Sequence, residues 1–104
     1  MSSALRDDGR EKMKTQPFRF RGKRWRLVDT GSSADAQGGG DCQGPHIRNR
    51  TMMIPISGGT KYDLEVILHE ARHACDWDAC EEAVQESSEA TAALLWELGW
   101  RKVI

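Results

Sequence analysis

The chain has 104 residues, 38% of them hydrophobic, and sets 15 Lys and Arg against 16 Asp and Glu for a formal net charge of −1. That length supports one domain with a modest core and is too short for two. There is no apolar run long enough to cross a membrane and no secretory leader, and three irregularly spaced cysteines do not make a disulfide scaffold, so a cytoplasmic setting is expected.

Residues 1–16 are polar, charged and aperiodic and are expected to form a loosely held tail, with 17–104 as a single domain. Phe18-Arg19-Phe20-Arg21 alternates apolar and polar, Gly22 permits a turn or bulge, and Arg24 to Val28 resumes the alternation. This predicts two short strands or one bent strand, with Trp25 in the core. Gly31 to Gly44 is rich in Gly, Ser, Ala and Asp and reads as a flexible loop, either a plain connection or a lid. Met52-Met53-Ile54-Pro55-Ile56 is strand-like, and Pro55, which has no N–H for a ladder, predicts an edge strand or a strand end.

Gly58-Gly59 precede Thr60-Lys61-Tyr62-Asp63, which has the form of a capping box. Leu64, Ile67, Leu68, Ala71 and Cys75 then recur at helical spacing, and neither Gly nor Pro interrupts Lys61 to Cys80. Asp78-Ala79-Cys80-Glu81 is a second N-cap signature, and a second helix is expected from about Ala79 to Leu98. Gly99 would close it, with Arg101 and Lys102 near its C-terminal dipole. A short link around Asp76 to Asp78 makes the helices an antiparallel hairpin. Trp96 and Trp100 are read as packing anchors that pin the last helix to the sheet, and Tyr62 as a structural residue.

His69-Glu70-Ala71-Arg72-His73 gives H-E-x-x-H on the first helix. Residues four apart share a helix face, so the two imidazoles can hold one Zn²⁺ while Glu70 stands beside a water on the metal as general base. Two histidines at this spacing have no helix-propensity reason to be there. A catalytic zinc needs a third protein ligand. Glu82, Glu86, Glu89 and Ala93 form a stripe on the second helix, and positions five to eight residues past a tight turn would come level with the histidines. Glu86 is the first choice and Glu82 the alternative, because Glu82 lies nearer the solvated loop; Glu89 lies a turn too far. His46 would have to fold back from its Gly/Pro-rich loop, Cys75 points to the other side of the helix, and no C-x-x-C spacing recruits Cys42 or Cys80.

With His69, Glu70, His73 and a downstream Glu, the chain resembles the gluzincin class of zinc metallopeptidases. Phe18 to Leu27, Gly40-Asp41-Cys42, Asp76 to Glu82 and Leu95 to Trp100 extend the likeness to small phage and bacterial proteins of the minigluzincin type. The resemblance implies an α+β fold, a small antiparallel sheet against an antiparallel helix pair, and a zinc-dependent peptidase with a peptide or protein substrate. An edge strand beside the zinc helix would then take up a peptide by backbone pairing. The pattern departs at one point: the class often carries an Asp four residues beyond its ligand Glu, where this chain has Ala90 or Glu86.

The charges are unevenly distributed. Residues 1–28 hold nine Lys/Arg and three Asp/Glu, whereas residues 63–97 hold ten acids and only Arg72 as a base. The favoured reading is that the two regions attract each other or are simply solvated. Nucleic acid is the less favoured partner, since Trp25 alone is too little for a stacking surface. A non-catalytic protein of the same fold, binding a phage or host protein or nucleic acid through its basic N-terminal part, is the alternative to the enzyme.

Overall fold

The structure, a computed structural model, describes residues 15–31 and 39–103. Its elements are strands β1 (Thr15–Phe20), β2 (Lys23–Asp29), β3 (Asp41–Cys42) and β4 (Thr51–Ile54), followed by helices α1 (Lys61–Cys75) and α2 (Glu81–Glu97). The expected tail lies outside the described residues up to position 14, and Thr15 and Gln16 already belong to β1.

β1 and β2 form a hairpin whose two turn residues, Arg21 and Gly22, both have positive φ (52° and 85°). A turn of that hand matches the twist of the flanking strands. The sheet order is β1-β2-β4-β3. The α+β architecture of sheet and helix pair is as expected. Two of the three strand pairings are antiparallel, and the central one, β2 with β4, is parallel. Parallel neighbours require a crossover of a dozen or more residues, which the chain supplies between Asp29 and Thr51. The sequence offered only a loop here, yet Asp41 and Cys42 pair with Met53 and Met52 of β4. The flexible-loop expectation for residues 32–38 lies outside the described residues. Gly40 is required where β3 passes between β4 and α1: a Cβ there would lie 2.5 Å from the Met53 carbonyl oxygen and 3.1 Å from Cγ of Glu70. Pro55 does mark a strand end, but β4 is interior, and the edges are β1 and β3.

One face of the sheet carries the core of Trp25, Leu27, Cys42, Met52 and Ile54, closed by Ala74 of α1. Trp25 is fully buried and donates its indole N–H to the Gln43 carbonyl at 2.9 Å, so it cannot act as a stacking platform. The capping box is present: Thr60 Oγ1 accepts from the Asp63 N–H at 3.0 Å, and Asp63 Oδ2 accepts from the Thr60 N–H at 2.9 Å. Asp63, Val66, Glu70 and Ala74 are the buried positions of α1, whereas the predicted stripe of Leu64, Ile67, Leu68, Ala71 and Cys75 is only half-buried. The stripe is shifted because the sheet covers one flank of α1 and α2 covers another.

Among the described residues, α2 packs on α1 and makes no contact with a strand. The expectation that Trp96 and Trp100 pin it to the sheet is therefore corrected: α1 is interposed, Trp96 lies under the Arg101 guanidinium at 3.5 Å, and Trp100 is 62% exposed. Gly99 (φ 96°) closes α2 as expected, with its N–H on Trp96 O and the Trp100 N–H on Leu95 O. Among the described residues no helix is long and apolar enough to cross a membrane.

Candidate metal centre

His69 and His73 stand one turn apart on α1, with side chains 16% and 17% exposed and their Nε2 atoms 3.2 Å apart. Glu81, the first residue of α2, closes the group: its Oε2 lies 2.8 Å from His69 Nε2 and its Oε1 3.1 Å from His73 Nε2. Among the described residues this is the one cluster of three His, Cys, Asp or Glu side chains able to hold a metal ion. The sequence choice of Glu86, with Glu82 as alternative, is not what the structure brings to the histidines; both are exposed on α2.

The reason lies in the link. It runs from Asp76 to Cys80 rather than ending at Asp78, and α2 starts at Glu81 rather than near Ala79. The first residue of α2, not a position five to eight residues past the turn, is thus level with His69 and His73. The signal was available: Glu81 precedes Val84 by three residues and Ser88 by seven, on the face that α2 buries against α1. Reading Glu81 as the acid of a capping box concealed it. In fact the N-cap is Cys80, and the Glu81 carboxylate turns toward α1.

The three groups fit a small divalent cation. Ligand atoms about 2.1 Å from a tetrahedral ion lie about 3.4 Å from one another, close to the separation of the two imidazole nitrogens. Two lone-pair nitrogens and a carboxylate converging on one point leave further coordination positions open toward solvent.

Glu70, 7% exposed, lies on the sheet side of the histidines. Burial pushes its carboxyl up to about 7; His69 pulls it down, and Asp41 and Glu81 push it further up. Cys42 is buried below it. Burial, then the charges of Glu70 and Asp41, raise its thiol to about 12, so it is a neutral group that donates weakly to the Gln43 carbonyl and not a thiolate ligand. All three cysteines are free.

A cleft of about 540 Å³ opens over the cluster between β3 (Asp41, Cys42) and the interhelix link (Trp77, Ala79). On the far side of His69 and Glu70, a second hollow is bounded by Gly39, Tyr62, Glu65 and Gln85, which places Tyr62 at the rim of the site rather than in the core. His46 is exposed and outside the cluster; its ring is 6.3 Å from Trp77, which in turn is 6.1 Å from His73. Arg72 ties the helices together beside the site, donating to Ser87 Oγ at 3.0 Å and pairing with Asp76 at 3.7 Å. The chain matches no protein-family model, no curated protein and no solved structure.

Proposed function

We propose that this protein is a small zinc-dependent hydrolase, a metallopeptidase close to the gluzincin type. The carrying observation is the convergence of His69, His73 and Glu81 at 2.8–3.2 Å with Glu70 buried beside them. Two imidazoles and one carboxylate are a zinc-like donor set, and three protein ligands leave room for water and substrate. Bound there, zinc would supply Lewis acidity and make a water nucleophilic near neutral pH. Holding zinc does not require Glu70. Its carboxyl, pushed up to about 7, suits a group that takes a proton from water and returns it to a leaving amine.

The substrate side follows from the sheet. The edge strand beside the helix is β3, not the Met52–Ile56 run expected from Pro55. Its free edge borders the cleft that contains His69, Glu70 and Trp77. An extended peptide can pair with such an edge and lay its scissile carbonyl over the metal position. The bacterial or phage-infected cytoplasm remains the proposed setting, resting on the sequence resemblance.

Protein purified untagged and without chelators should carry about one zinc ion per chain. Glu70→Gln should keep that zinc and lose roughly 10²-fold or more in turnover of an unstructured protein or peptide library. Loss of zinc in this variant would make Glu70 a ligand or support. Full zinc with no cleavage by the parent would favour the non-catalytic alternative.

A further inference from the structure

Among the described residues of the basic N-terminal region, Arg21 meets the first helix, donating to the Cys75 carbonyl at 2.8 Å, but three other arginines stay apart from the acidic helices. The helices cover the sheet face that carries Trp25 and Leu27. Arg24 and Arg26 alternate with these residues along β2 and therefore project from the opposite face. Arg19 of β1 is directly opposite Arg24 in the antiparallel register and joins them there. All three are exposed, and among the described residues none is in an ion pair. Arg19 gives one N–H to the Gly22 carbonyl at 3.0 Å, which orients its side chain along the hairpin.

Like charges directly opposite across strands destabilise a sheet. Arginines two apart on β2 stand about 7 Å from one another, with the neighbouring strand about 5 Å away. The same-face positions next to them are Pro17 and Thr51, with Thr15, Val28 and Met53 beyond; Val28 is buried and Met53 is 36% exposed, so one methionine stands at the margin and beside the arginines themselves there is no aromatic anchor. A protein partner would need such an anchor. Guanidinium groups instead match phosphate oxygens as two-pronged donors.

We propose that Arg19, Arg24 and Arg26 form a docking surface for the phosphodiester backbone of nucleic acid, on the sheet face opposite the metal cluster. The surface has no group placed to read bases and is sequence-independent. It stands whether or not the metal centre is catalytic.

The test is fluorescence anisotropy of the full-length protein with labelled 20-nucleotide single strands and duplexes, between about 20 and 200 mM salt. For duplex, each phosphate contact adds about 0.9 to the slope of log K against log salt, and for single strands about 0.7. Arg24→Gln and Arg26→Gln should each lower the slope by about one contact and weaken binding alike across sequences. Zinc content should be unchanged. Arg24→Lys with Arg26→Lys should keep most of the slope, which separates lost charge from lost folding. Three outcomes would overturn the proposal: no binding at 20 mM salt, binding untouched by the triple Gln variant, or equal binding of poly-glutamate, which would assign the face to an acidic protein.

Discussion

At the scale of single residues, Glu81 has the largest consequence. It is 68% exposed at the side chain yet meets both histidines with its two oxygens. An exposed acid at the start of a helix has an easier alternative, interaction with its own helix N-terminus. Here its two oxygens are directed instead at His69 and His73. If Glu81 is the third zinc ligand, Glu81→Ala should weaken zinc by more than the 10–100-fold typical of residues that only support a ligand. Glu86→Ala and Glu82→Ala should leave affinity within about a factor of three, because each loses only an exposed surface charge. Competition against a chromogenic chelator separates these cases. A large loss with Glu86→Ala and none with Glu81→Ala would mean that α2 is turned differently in solution.

At the scale of elements, the sequence was readable wherever a local rule acts alone. The Thr60–Asp63 box, the Arg21-Gly22 turn and the Gly99 stop each depend on contacts within a few residues. The box ends the chain's passage from Gly58, where an added Cβ would collide with the Asp63 carboxylate. Thr60→Ala should cost about 1 kcal/mol and lower Tm by about 4–8 °C for a domain of this size. Thr60→Ser should recover most of that loss. An unchanged Tm in Thr60→Ala would show that burial of Asp63, not the hydroxyl, holds this end of α1. Features set by distant contacts were not readable. β3 is two residues long and has no alternation to detect; it exists because Met52 and Met53 lie beside it. The parallel β2–β4 pair likewise depends on how the chain crosses over. Glu81, which the structure brings to the two histidines, was passed over because the link between the helices was judged two residues too short.

At the scale of the whole molecule, the order of packing is sheet, α1, α2, and among the described helices and strands only α1 packs on the last helix. α2 buries only Val84, Ser88 and Ala92 completely, and leaves Leu94 and Leu98 57% and 65% exposed. A segment with so few buried contacts sits at the low end of local stability. The His69–His73–Glu81 cluster joins α1 to α2 beside the link, so a metal held there, as proposed, ties the weakest element to the best-packed helix. Ligand binding to the native state adds about 4 kcal/mol at a thousand times Kd. Stripping zinc with a chelator should therefore lower Tm reversibly. The loss should also be local: amide exchange should quicken most across residues 81–97, while β2 and β4 change little until global unfolding. Excess zinc should restore both, and the Glu81→Ala variant should behave like the stripped parent with or without zinc. If zinc binds at about one per chain and neither Tm nor exchange in α2 responds to its removal, the metal does not bridge the two helices and Glu81 is not its ligand.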